Sequence, residues 1–243
     1  IQMGTTVKPY KDSDKSKTQQ VRDMFDNISQ HYDFLNHALS FGIDIIWRKS
    51  MVRIARKAYP GRFLDIATGT GDQAVMLAEK LHPQRIDAID LSEKMMDIGR
   101  SKVTKKGLSD KIFFQRADCQ SLPFDHNTFD LATISFGVRN FENLAQSLSE
   151  IHRVLKPGGM LLILEFSHPT AFPIKQLYSF YNKCILPAVG YVVSGDAKAY
   201  TYLPESIKAF PSGRNFINLL RVDGFLATRM TPMTGGIATI YSG

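Results

Sequence analysis

The chain has 243 residues, 44% of them hydrophobic, enough for one α/β domain with a full core, and its longest apolar runs, such as Met160 to Phe166, are far below membrane-spanning length. Its formal charge of +7 is spread along the chain rather than striped with aromatics, which argues against nucleic acid as a partner. Cys119 and Cys184 lack metal or redox spacing, so two inert thiols, no metal and a cytoplasmic setting are expected, and no stretch near the start reads as a secretory signal.

Residues 1–17 read as a solvated, poorly ordered basic tail, because Lys8, Lys11, Lys15 and Lys17 alternate with Asp12, Asp14, Ser and Thr. An anionic membrane surface is a candidate partner for that charge, which would place the protein at the inner face of the membrane. Thr18 to Ile28 reads as a helix with Val21, Met24, Phe25 and Ile28 on one face, and a second apolar helix carries Trp47 and Arg48 through Ala58. Residues 18–60 therefore form a helical extension expected to cover a site in a following domain, residues 61–243. There Phe63-Leu64-Asp65-Ile66, Arg85 to Asp90, Ile112 to Arg116, Phe129 to Ser135 and Met160 to Glu165 read as strands. Helices over Asp72–Leu81, Ser92–Lys105 and Asn143–Leu155 separate them, with Ser92 as N-cap and Gly107 as a stop. Strands alternating with helices imply a parallel, doubly covered sheet. Residues 172–212 mix aromatic and aliphatic side chains with Pro173, Pro187 and Pro204; they read as an apolar lid, or as ordinary packing over the core. Arg214 to Val222 reads as a last helix. Two strands, from Gly224-Phe225 and from Gly235-Gly236, follow it as a hairpin with Pro232 between them.

The chemistry concentrates in Asp65-Ile66-Ala67-Thr68-Gly69-Thr70-Gly71-Asp72, followed nineteen residues after Gly71 by Asp90. The two glycines turn the chain from strand to helix, and a side chain at either would block a ligand's approach to the backbone. The helix start offers free N–H groups. Asp90 ends the next strand, where its carboxylate can accept two hydrogen bonds from a ribose diol. An adenosine-containing cofactor follows, with a nicotinamide dinucleotide as first competitor, since Gly69-x-Gly71-x-x-Ala74 also fits the loose dinucleotide fingerprint. Asp65 and Asp72 favour S-adenosylmethionine, because they would repel a pyrophosphate but suit an ammonium and a sulfonium. Asp118 and the backbone at Cys119 could read an adenine. A terminal hairpin on a parallel sheet matches the methyltransferase arrangement. The plainer alternative is a tight turn without a ligand.

Three segments resemble the UbiE-type menaquinone/ubiquinone-biosynthesis C-methyltransferases. They are Tyr32-Asp33-Phe34-Leu35-Asn36-His37-Ala38-Leu39-Ser40-Phe41-Gly42 through Trp47, Thr133 to Phe141, and Arg153-Val154-Leu155-Lys156-Pro157-Gly158-Gly159 through Glu165-Phe166-Ser167. Leu35 stands where Met is usual and Asp44 where His is usual; the second departure removes any role for a histidine there. The resemblance implies a Rossmann-like class I S-adenosylmethionine-dependent methyltransferase with a mostly parallel seven-stranded sheet and a C-terminal antiparallel hairpin. It implies cofactor contacts at Thr70, Asp90, Asp118, Cys119 and Ser135, beside Asp65, Gly69 and Gly71 read from the turn. It further implies C-methylation of a reduced polyprenyl quinone, demethylmenaquinol or a methoxy-polyprenyl benzoquinol. Another small lipophilic acceptor is the alternative, and a homodimer is left open. Arg139 and Asn140, just past the fourth strand, are the candidates for stabilising a developing oxyanion, although Arg139 could equally cap the loop or pair with Glu142. Tyr32 and Asp33 would close over the same site; their plainer reading is a helix-break pair that holds the extension to the core.

Overall fold

The computed structural model describes residues 7–10, 13–58, 61–169, 172–180 and 197–243. Seven strands form one sheet in the order β3-β2-β1-β4-β5-β7-β6. They are β1 (Arg62–Ile66), β2 (Arg85–Asp90), β3 (Ile112–Arg116), β4 (Phe129–Ser135), β5 (Leu155–Phe166), β6 (Arg229–Met233) and β7 (Ala238–Ser242). The first five run parallel, whereas β7 is antiparallel to both β5 and β6. The central strands carry apolar side chains on both faces, as a sheet covered by helices on each side requires. Phe63, Leu64, Leu131, Ile134, Leu162 and Ile163 are all fully buried.

The helices are α1 (Lys17–Leu39), α2 (Ile43–Ala55), α3 (Asp72–Leu81), α4 (Glu93–Lys105), α5 (Leu144–Val154), α6 (Ile174–Phe180), α7 (Ala197–Ala209) and α8 (Arg214–Val222). Ser92 caps α4 by accepting from the Met95 N–H at 3.2 Å, and Asn143 caps α5 by accepting from the Gln146 N–H at 3.1 Å. The strand order reverses on either side of β1. The carboxyl ends of β1 and β4 therefore diverge to leave a crevice, the place where open α/β sheets bind ligands.

Four details differ from the sequence reading. Helix α1 runs through Tyr32 and Asp33 without a break; no Gly or Pro interrupts it, and Asp33 is held by tertiary bonds described below. Lys17, grouped with the tail, is the buried first residue of α1. Lys156 to Gly159 lie within β5, where the register against β4 shifts between Phe129 and Leu131. Pro232 lies inside β6 rather than in the turn, and β6 starts at Arg229 rather than near Gly224. On an edge strand the missing N–H of a proline costs no ladder bond. The turn is instead made by Thr234–Gly236.

Of the lid segment, α6 and α7 are described; residues 181–196, with Cys184, lie outside the described residues. Among the described residues no helix is long and apolar enough to cross a membrane.

Candidate active site

The crevice outside β1, β2 and β4 encloses about 770 Å³ of empty space, its mouth included. Ile66, Gly69, Ile89 and Asp90 form its floor, while Asp118, Cys119 and Gln120 after β3 close one side. Ser135, Phe136, Gly137 and Asn140 after β4 close the other, and Val21, Phe25 and Tyr32 of α1 lie across it. A smaller lobe of about 320 Å³ adjoins it and shares Tyr32, Ala67, Gly69 and Ser135 with it; Arg48, Asp65, Thr68, Thr70, Asp72 and Gln73 complete its walls. The predicted positions Tyr32, Asp65, Gly69, Thr70, Asp90, Asp118, Cys119, Ser135 and Asn140 thus face one elongated crevice.

The backbone explains how. Asp90 accepts from the Gly69 N–H at 2.8 Å and from the Ser92 N–H at 2.9 Å, tying the glycine turn to the end of β2. Each oxygen keeps a second lone pair for a ligand hydroxyl. Burial raises the Asp90 carboxyl above its ordinary value, against those backbone bonds. Asp118 accepts from the Gln120 N–H at 2.9 Å. Asp65 is buried between two hydroxyl donors, Thr133 at 2.6 Å and Thr68 at 2.6 Å. Its carboxyl is pushed up to about 6 by burial, which outweighs the two hydrogen bonds and the nearby Arg48. Cys119 is buried, and burial pushes its thiol upward, so it is an apolar wall rather than a nucleophile. Among the described residues no group of His, Cys, Asp and Glu could hold a metal.

Two predicted residues stand apart. Gly71 has φ +79° but is not in the crevice wall; a Cβ there would meet Phe114 Cζ at 3.0 Å. Its lack of a side chain serves the turn and the packing of β3, whereas the expectation tied it to ligand approach. Arg139 is likewise outside the wall. Its guanidinium donates to Glu165 Oε1 at 2.8 Å and to the Phe136 carbonyl, and its Cζ sits 5.5 Å from the Phe166 ring centroid. The alternative pairing with Glu142 does not occur. Glu142 instead accepts from the Lys17 and Thr18 N–H groups at 3.2 and 3.0 Å and from Thr18 Oγ1 at 2.7 Å, capping the start of α1 from another element.

The carboxylates at the turn are also partnered. Lys102 of α4 contacts Asp72 and donates to Asp33 Oδ2 at 2.9 Å, and Thr70 donates to Asp33 Oδ1 at 2.5 Å. Asp33 thereby fastens α1 to the turn. Asp44, at the position where the resembled family has histidine, is buried, accepts from Ser40 Oγ at 2.7 Å and lies 3.0 Å from His37 Nδ1. A histidine thus reaches this corner from α1 rather than α2.

Sequence reasoning missed Arg48, Gln73, Glu165 and Tyr202. Glu165 is fully buried at the end of β5 and accepts from the Arg139 side chain and N–H and from the Phe166 N–H. Tyr202 of α7 donates to Asn140 Oδ1 at 3.1 Å, and burial raises its hydroxyl. Arg48 and Glu165 lie in or beside the quoted signatures, where a buried charge among apolar neighbours was the available signal; Gln73 and Tyr202 carried none.

Solved structures share this architecture. A methyltransferase of Thermotoga maritima aligns at a TM-score of 0.62 and 19% identity, covering 91% of this chain and 98% of its own. Phosphoethanolamine N-methyltransferase 2 of Haemonchus contortus, solved with S-adenosyl-L-methionine, aligns at 0.61 and 21%, covering 88% of this chain and 46% of its own. At such identities the likeness is one of fold. Closer in sequence is a demethylmenaquinone methyltransferase of Bacteroides fragilis, 47% identical over 97% of this chain and 96% of that protein. The ubiquinone/menaquinone biosynthesis C-methyltransferase UbiE of Geobacter sulfurreducens is 46% identical over 93% of this chain and 89% of its own. Residues 13–243 match the profile of one family across the sheet, the crevice and the helices over it: the chain belongs to the ubiE/COQ5 methyltransferase family.

Proposed function

We propose that this chain methylates a ring carbon of a reduced polyprenyl quinone, with S-adenosylmethionine as donor and demethylmenaquinol as acceptor; a methoxy-polyprenyl benzoquinol is the second candidate. The observation that carries the reading is the convergence of Asp90 and Asp118 on one crevice roofed by α1. It occurs in a chain that is 47% identical to a demethylmenaquinone methyltransferase. The residues fit the donor: Asp90 can take the ribose diol, Asp118 the adenine amino group, and Asp65, buried beside Gly69, the ammonium.

When bound, S-adenosylmethionine supplies an electrophilic methyl group on a sulfonium. The protein's work is then alignment and charge. Holding the acceptor carbon in line with that methyl can supply roughly 7–11 kcal/mol. The ring carbon becomes nucleophilic as a hydroxyl of pKa about 10 loses its proton, so donors aimed at the resulting oxyanion lower the barrier. Asn140 is suited to this: with Oδ1 occupied by Tyr202, its NH₂ group is left to face the acceptor. Arg139 acts beside it from behind the wall. Its positive charge, paired with Glu165, would stabilise the oxyanion through its field rather than by a direct hydrogen bond. Tyr32 of α1 closes the same space, so that residues 18–60 serve as cover. The lid would receive the prenyl chain, and the start of the lid, with Phe172 before α6 80% exposed and Leu177 in α6 65% exposed beside the exposed Lys175, supports contact with an anionic membrane surface.

Purified protein incubated anaerobically with S-adenosylmethionine and a short-prenyl demethylmenaquinol should yield the methylated quinol by mass spectrometry. Absence of that product with both quinol classes would sink the assignment.

A further inference from the structure

The smaller lobe holds two buried donors that the proposed reaction leaves unused. Gln73, the second residue of α3, is 1% exposed; its Oε1 accepts from Ser135 Oγ at 3.4 Å, while its Nε2 has no hydrogen-bond partner. Arg48 of α2 is 8% exposed, and its Nε is likewise without a hydrogen bond, the Asp44 carboxylate lying 3.7 Å away. Its guanidinium sits 5.4 Å over the Phe136 ring, which fixes it in place. Both side chains line the lobe together with Thr68, Thr70 and two acids, Asp65 and Asp72. A buried donor with nothing to donate to destabilises a fold by about 1–3 kcal/mol unless a ligand fills the role. Two such donors on side chains that line one space call for an anion. The start of α3 adds to the demand, because its N-cap is Gly71, with no side-chain oxygen to satisfy the first N–H groups. The acids in this corner are accounted for: Asp72 is paired with Lys102, and Asp65 is held by Thr68 and Thr133.

We infer that Arg48 and Gln73 together seat the α-carboxylate of the cofactor's amino acid, while Asp65 faces its ammonium. The inference rests on the reading of the crevice as an S-adenosylmethionine site and adds the residues that recognise the end remote from adenine. The lobe would then be complementary to a zwitterion. Arg48 would also make the cofactor sense the helical extension, since this contact comes from α2 rather than from the sheet.

Calorimetry with two probes tests it. S-Adenosylhomocysteine carries the amino acid; 5′-methylthioadenosine has the same nucleoside and thioether without it. Arg48→Met and Gln73→Leu should each weaken S-adenosylhomocysteine by about tenfold or more, the scale of a charge-assisted hydrogen bond. Both variants should leave 5′-methylthioadenosine within about twofold of the parent, because no altered group lies near the nucleoside. Arg48→Lys, which keeps charge and stem, should recover part of the loss on S-adenosylhomocysteine alone. Equal losses on both probes, or no loss on either, overturn the assignment. A parent chain that binds neither probe overturns the cofactor reading itself, a different and distinguishable failure.

Discussion

Replacing Arg139 by methionine separates its ion pair with Glu165 from the oxyanion role proposed for it. The variant keeps an apolar stem against Phe166 but leaves Glu165, with no exposed surface, held only by the Arg139 and Phe166 N–H groups. Breaking a buried ion pair from one side costs about 3–5 kcal/mol. In a chain of this size each kcal/mol moves Tm by about 2–4 °C, so a fall on the order of 10 °C is expected. The double variant Arg139→Met/Glu165→Leu removes both charges, and such exchanges are neutral or stabilising by about 1–4 kcal/mol. Its Tm should return close to that of the parent. Under the proposed role of Arg139 turnover should not return, because loss of electrostatic stabilisation of an oxyanion costs up to about 100- to 1000-fold and no apolar pair replaces it. Calorimetric titration with S-adenosylhomocysteine should give parental affinity in both variants. The assay is Tm by scanning calorimetry beside single-turnover methylation of a short-prenyl quinol. A double variant with parental turnover refutes the reasoning, since Arg139 would then merely neutralise Glu165.

Asp90→Ala should weaken S-adenosylhomocysteine by about tenfold or more, the scale of hydrogen bonds to a charged group, and calorimetry that shows parental affinity would remove Asp90 from the ribose site. Tyr202→Phe frees the Asn140 amide by removing a bond worth about 1 kcal/mol, so kcat should fall about fivefold with KM for the cofactor unchanged. A change confined to KM would contradict it. Asp65 titrates near 6 rather than 3.8, so its protonated form is favoured by folding. Its contribution to stability is complete below the unfolded value and is lost as pH rises through about 6. A bound ammonium favours the ionised form, so S-adenosylhomocysteine affinity should decline as pH drops below about 6. Flat affinity across that range would show that Asp65 does not face the ligand's charge.

The sheet was legible because its signal is local. Phe63 to Ile66 and Arg85 to Asp90 are short apolar runs ending in acids, and the glycine turn marks where strand gives way to helix. The positions at strand ends, Asp90 and Asp118, follow from that pattern, whereas Ser135 follows only from the family resemblance, and the crevice gathers all three. The partners of those positions do not follow from it. Arg139 meets Glu165 across 26 residues and Asn140 meets Tyr202 across 62, contacts set by β5 and α7 packing beside the loop after β4. Glu142, one alternative partner for Arg139 in the sequence, instead bonds to Lys17 and Thr18, which come from the far end of the chain. The polar stretch around Tyr32 and Asp33 looked like a break because its polar contacts, to Thr70 and Lys102, are tertiary.

The amino-terminal helix and the loop after β4 are fastened at two points: Glu142 clasps the first turn of α1, and Lys17 reaches back to the carbonyls of Arg139 and Phe141 at 3.2 and 3.0 Å. Burial pushes the Lys17 ammonium down to about 8 even with Glu142 beside it, so the clasp is a tightly enclosed one. A helix that swings aside to admit the nucleoside must tug the loop bearing Asn140 along with it. Under the proposed reaction, donor entry past α1 and assembly of the acceptor side would therefore be mechanically joined through this clasp.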